Sequence, residues 1–298
     1  MPNLSPGHLA QLACIAEVTA PKAGNVHLRA SFQDASWDQF VASAALCAPL
    51  LDQTRAHGVG PTILACVQTT RRSVGTNTNL GILLLLAPLC AVDPSASLEA
   101  GIGPVLDGFD DGDAAAVYQA IELANPGGLG RLNEADVRRR PPIGLIEAMR
   151  QAADRDAVAR QYTSGFDCVL HRIAPVLRQS DLPLDQAVVY SHLDQMAREP
   201  DSLIGRKCTA QIAGQAQRSA RACLAAGGPA TPTGRALFVQ LDRWLRADGN
   251  LRNPGTSADL VTAGLFAALR QGWITYPFRW SGSLLDRPDD PEGPVDVP

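Results

Sequence analysis

Apolar residues recur along this chain at the spacing of one helix face. Leu9, Leu12, Ala13 and Ala16 form an i, i+3, i+4, i+7 stripe, and Trp37, Phe40, Val41, Ala44 and Ala45 repeat it. Leu145, Ala148, Met149 and Ala152 give a third stripe; Val261, Leu265 and Leu269 give a narrower fourth. Segments 61–72, 112–124, 156–178, 184–198, 203–225 and 234–247 also read as helical. No sustained alternation of period two is bounded by hairpin turns, so the pattern predicts an all-α fold. The run Leu80–Val92 is apolar on every side. It is far shorter than the roughly 20 residues that span a bilayer, so it reads as a central helix buried in protein.

Breaks rich in Gly, Pro or Asn fall at 21–24, 58–61, 72–77, 125–130, 227–232 and 253–255, and none is long enough to link domains. The expectation is one helical-bundle-like domain over residues 1–280. Residues 281–298, with four prolines and five acidic residues, are expected to form a disordered or surface-draped tail.

Composition narrows the function. The chain has 298 residues, with 26 Lys+Arg against 30 Asp+Glu. That balance argues against a nucleic-acid surface. Seven scattered cysteines without a Cys-x-x-Cys pair suit a reduced, cytoplasmic compartment better than a disulfide scaffold or a zinc site. Neither a secretory segment nor a membrane span is read, and a homodimer is a reasonable expectation for a helical chain of this size.

The candidate chemistry sits where helices begin and end. Glu17 leads into a turn carrying Lys22, Asn25 and His27, with Asp34 beyond. Gly75-Thr76-Asn77-Thr78-Asn79-Leu80-Gly81 opens the central helix, and a helix start flanked by glycines is a ready anion site, phosphate first. Asp156 and Arg160 stand at i, i+4, which an intrahelical ion pair explains. Asp201 or Ser202 caps a helix that carries Arg206 and Lys207 one turn later. In Asn253-Pro254-Gly255-Thr256-Ser257-Ala258-Asp259-Leu260, Thr256 or Ser257 is placed to cap, with Asp259 in the first turn. Capping alone accounts for each cluster taken singly.

Their order carries more. Pro21-Lys22-x-Gly24-x-Val26, the Gly75–Gly81 turn, Asp201 upstream of Arg206, and Pro254-Gly255-x-x-Ala258-Asp259-Leu260 together resemble the ATP:dephospho-CoA triphosphoribosyltransferase (triphosphoribosyl-dephospho-CoA synthase) family over most of the chain. The resemblance implies an all-helical transferase with a polar nucleotide cleft. Such an enzyme moves the triphosphoribosyl group of ATP to a hydroxyl of dephospho-CoA and releases adenine, with Mg²⁺ on the triphosphate. It implies Glu17, Asp34 and Asp201 as base or Mg²⁺ ligands. Lys22, Arg206 and Lys207 would hold phosphates, and Asn25, His27, Asn77, Asn79, Arg160 and Asp259 would complete the nucleotide site. Named synthases read Gly-Val-Asn-Thr-His-Lys-Gly at the central turn, where this chain has Asn79-Leu80 in place of His-Lys. The chain is thus similar to a divergent branch found in organisms that use tetrahydromethanopterin. A different acceptor is an alternative, as are phosphoryl transfer or ligation in one-carbon carrier biosynthesis and a non-catalytic nucleotide-binding homologue.

Overall fold

The computed structural model describes residues 4–76, 79–124, 143–178 and 181–281. The first half of the chain forms α1 (Pro6–Thr19), α2 (Trp37–Leu51), α3 (Thr54–His57), α4 (Val59–Val74), α5 (Leu80–Ala91), α6 (Leu98–Asp107) and α7 (Asp111–Ala124). The second half forms α8 (Leu145–Ala152), α9 (Ala157–Thr163), α10 (Ala174–Arg178), α11 (Leu184–Arg198), α12 (Ser202–Lys207), α13 (Ala210–Ala225), α14 (Pro232–Arg246) and α15 (Gly255–Arg270). Among the described residues there is no sheet; two isolated bridges, His27 with Ala30 and Phe32 with Ala35, tighten the loop before α2. The all-α expectation is met.

Helix α5 is the axis of the bundle. Its residues Ile82 to Cys90 are all buried, because helices α1, α2, α3, α4, α6, α7, α9 and α15 pack around it. A helix apolar on all sides is stable only when neighbours cover every side. Helix α15, also buried along nearly its whole length, lies parallel to it: Asp259 meets Gly81, and Arg270 meets Leu89. The guanidinium of Arg270 donates to the carbonyls of Leu89 (2.9 Å), Val92 (2.9 Å) and Asp93 (2.7 Å). It thereby satisfies acceptors that the end of α5 leaves without an intrahelical donor.

Two expectations need correction. The segment 203–225 is two helices, because Cys208 leaves helical geometry and Thr209 then caps α13 through its hydroxyl, which accepts from Ile212 N (3.2 Å). The segment 156–178 is broken after α9 by Gly165 and Phe166, both at positive φ, and continues as a π-helical stretch, Cys168–Ile173, before α10. The short helices α3 and α6 carried no strong stripe and went unread. Ser281, taken as the first residue of the tail, is buried: its amide and hydroxyl donate to Asp185 on α11 at 2.9 and 2.6 Å. The rest of the tail and the 125–130 break lie outside the described residues.

Candidate active site

The ends of α9, α12 and α15 are tied together beside the start of α5. Asp201 is the bolt. Its Oδ1 accepts from Leu203 N (2.9 Å) and Ile204 N (3.0 Å), capping α12, while Oδ2 accepts from Ser257 N and Ser257 Oγ, both at 2.8 Å. The first turn of α15 is therefore capped from across the interface and not by its own Thr256 or Ser257. The Ser202 hydroxyl extends the seam, donating to Thr256 Oγ1 (3.1 Å) and accepting from Ala157 N at the start of α9 (3.3 Å).

Asp156 caps α9 with Oδ1, which accepts from Val158 N and Ala159 N, and its Oδ2 pairs with Arg206. The i, i+4 pairing of Asp156 with Arg160 does not form. Arg160 turns away to Glu199 and to the carbonyl of Ala153, because its expected partner is already committed at the cap.

Asp259 stands at the centre of this seam. Its carboxyl lies against Gly81, and a β-carbon on Gly81 would overlap it. Among the described residues it receives no hydrogen bond. Burial pushes its pKa well above the usual carboxylate value, and the neighbouring charges of Glu17, Asp201 and Asp156 push it further, with Arg206 alone opposing. Burial also raises the Asp201 carboxyl, against the pull of its four hydrogen bonds. Burial and the surrounding carboxylates disfavour the charged form, so this half-buried carboxyl holds its proton more tightly than an ordinary carboxylate.

Glu17, Lys22 and Asn25 form an adjoining buried turn. The Lys22 ammonium is fully buried, 3.0 Å from Glu17 Oε1, and donates to the carbonyls of Glu17 (2.6 Å), Ala20 (3.2 Å) and Val26 (3.2 Å). Burial lowers the Lys22 pKa and raises that of Glu17, and each partner's charge opposes the other's shift. Asn25 Nδ2 donates to Asn253 Oδ1 (2.8 Å), joining this turn to the entry of α15. Gly24, at φ +69°, packs on Leu245 and donates its amide to Asp242 (2.7 Å). His27 is driven down to about 3, by burial first and then by the charges of Lys22, Arg246 and Arg29. It is a neutral ring.

Lys207, Asn250 and Asp34 make a separate group on the rim. Lys207 Nζ donates to Asn250 O and Oδ1, both at 3.3 Å, and Asn250 Nδ2 donates to Asp34, which is exposed. Asn79 takes the N-cap position of α5 without capping it; its amide points inward, donating to Cys47 Sγ and Thr70 Oγ1, both at 3.4 Å. Asn77 lies outside the described residues. The sequence reading named Asp156, Ser257 and Asn253 only as helix-end residues, without a role in the site, since their partners lie roughly 50 to 230 positions away; His192, which is fully buried near Lys22, it did not single out.

No group of three His, Cys, Asp or Glu side chains is arranged to hold a metal among the described residues. No helix there is long and apolar enough to cross a membrane.

Comparison with known proteins places the fold and the family. A crystal structure from Archaeoglobus fulgidus, provisionally assigned as triphosphoribosyl-dephospho-CoA synthase, superposes with a TM-score of 0.61 at 25% identity. The match covers 78% of this chain and 100% of that one. No curated protein matches in sequence. Residues 3–277 match the ATP:dephospho-CoA triphosphoribosyl transferase family, and with nearly the whole chain spanned, this protein belongs to that family of transferases.

Proposed function

We propose that this chain transfers the triphosphoribosyl group of ATP to an acceptor hydroxyl and releases adenine, with Asp259 as the group that takes the hydroxyl proton. The observation that carries the reading is the Asp259 carboxyl, held without a donor beside Gly81 and among Glu17, Asp156 and Asp201. In the reaction the acceptor oxygen bonds to C1′ of the ribose as the bond to adenine breaks. The base must therefore be a carboxylate of raised basicity within reach of that oxygen. Burial and like charge supply the basicity.

The starts of α5 and α15 add a favourable field for the triphosphate, and Arg206 is the cation nearest in influence to Asp259. Mg²⁺ binds through one or two carboxylates together with phosphate oxygens. The ion would therefore arrive with the nucleotide and sit against the Asp259 side of the seam, neutralising phosphate charge. Lys22 and Asp201 serve the site by position: one fixes the Glu17–Val26 turn, the other locks α12 to α15.

The acceptor is a hydroxyl of dephospho-CoA or of a related carrier. The inward turn of the Asn79 amide favours a changed acceptor contact, since named family members carry a His-Lys pair at Asn79-Leu80. Purified protein incubated with ATP, Mg²⁺ and dephospho-CoA should form free adenine only when the acceptor is present. ADP or AMP in place of adenine would overturn the proposal. Adenine formed with a pterin-linked alcohol but not with dephospho-CoA would reassign the acceptor and retain the transfer.

A further inference from the structure

Cys47 on α2 and Cys66 on α4 face each other inside the bundle. Cys47 Sγ lies 3.9 Å from the carbonyl of Cys66, and Cys66 Sγ lies 4.0 Å from that of Cys47. The pair is not symmetric. Thr70 Oγ1 stands 3.5 Å from Cys47 Sγ, and Asn79 Nδ2 donates to the same sulfur at 3.4 Å. The thiol of Cys66, the hydroxyl of Thr70 and the amide of Asn79 together favour negative charge on Cys47, whereas Cys66 is held protonated. Cys47 is also the member of the pair that can be reached. It lines a pocket between α1, α2 and α5 together with Cys14, Gln11, Phe40 and Asn79. The free space there, about 20 Å³, admits one molecule the size of water.

We propose that Cys47 and Cys66 form a peroxide-reactive thiol pair, with Cys47 attacking peroxide that enters by the pocket and Cys66 closing the disulfide. Hydrogen peroxide is the thiol oxidant closest to that size, and bulkier thiol reagents do not fit. In the first step the Cys47 sulfur bonds to one peroxide oxygen and the O–O bond breaks. The second oxygen leaves as hydroxide and takes a proton to become water, with a sulfenic acid left on Cys47. Cys66 sulfur then bonds to Cys47 sulfur, the S–O bond breaks, and the leaving hydroxide takes the Cys66 proton. Two thiols and one peroxide thus give one disulfide and two waters. Cys14 shares the pocket, but burial raises its thiol well above the ordinary range. The reaction is independent of whatever substrate the cleft takes.

The test treats the reduced full-length chain with equimolar hydrogen peroxide, followed by intact mass and peptide mapping after thiol blocking. The expected result is the loss of two hydrogens per chain and a Cys47–Cys66 cross-linked peptide that dithiothreitol reverses. Thr70→Val, nearly isosteric, should slow the reaction about tenfold by removing a donor from Cys47. Cys208→Ser should leave it unchanged. In Cys66→Ala a sulfenic acid should be trapped on Cys47 by dimedone added together with denaturant. Oxidation at Cys208 with Cys47 and Cys66 still reduced, a Cys14–Cys47 cross-link, or a Thr70→Val chain that reacts as fast as its parent would each overturn the proposal.

Discussion

The carboxyl of Asp259 occupies the space that a β-carbon on Gly81 would fill. The last residue of the central turn and the catalytic candidate on α15 are therefore fitted to each other. Gly81→Ala should cost about 1–3 kcal/mol by overpacking. In an Asp259→Ala background the same change should cost less than about 1 kcal/mol, since the obstructing group is gone. Urea denaturation of the four chains of the cycle measures the coupling, and equal costs in both backgrounds would mean that the two residues do not touch.

Asp259→Asn separates stability from activity. The folded chain holds the Asp259 proton more tightly than the unfolded chain, because burial and then Glu17, Asp201 and Asp156 raise its pKa. Stability tied to this group is present at low pH and is lost as pH rises above the ordinary carboxylate value of about 4. The amide variant should therefore melt a few degrees above the parent at pH 7, with the gap closing near pH 4. Its adenine formation should fall by about 10²–10⁴-fold. A variant that is both less stable and fully active would refute this assignment.

Lys22→Met should destabilise by about 3–5 kcal/mol, because Glu17 is then left as a buried charge without its partner. Adding Glu17→Gln should recover more than half of that loss. Thermal and urea unfolding of the single and double variants read this directly. If Lys22 instead served only to bind phosphate, its removal would weaken ATP binding and leave the melting temperature alone.

His192 makes the chain acid-sensitive. Burial first, and the charge of Lys22 second, drive its pKa from 6.5 to about 3. The unfolded chain binds this proton below about pH 6.5, whereas the folded chain refuses it, so stability is lost as pH falls through that range. Between pH 7 and 5 the histidine should account for about 2 kcal/mol of lost stability, at about 1.4 kcal/mol per pH unit. His192→Leu should flatten the pH dependence of the urea midpoint by that amount. An unchanged slope would show that His192 titrates normally.

Much of the fold could be read from the order of apolar residues. The run Leu80–Val92 had to be covered on every side, and the stripes on α1, α8 and α15 follow faces turned to the core. The α2 stripe is offset: Ala45 is exposed and Cys47 and Leu51 are buried. The break at Cys208 was hidden because a threonine cap, not a glycine or proline, restarts the helix. The candidate residues were recognisable as helix-end groups, but their partners were not. Asp156 and Arg160 satisfy every local rule for an ion pair, yet the cap uses one oxygen of Asp156 and aims the other at Arg206. Asn79 was placed in the nucleotide site at the helix start, and only the packing of α2 against α4 reveals that its amide is drawn inward to Cys47 and Thr70. Distant partners leave no periodic trace, so the seam through Asp201 and Ser257 is a property of the folded chain alone.

The parallel course of α5 and α15 divides what this architecture can vary from what it must keep. Arg270 anchors the far end of the pair on three carbonyls, and that anchoring sets how far along α5 the Asp259 carboxyl comes to rest. On the proposed reading, the acceptor contact varies at the start of α5, while the Asp259 carboxyl stays in register with Gly81. A search for variants with a changed acceptor would therefore leave Gly81, Asp259 and Arg270 untouched.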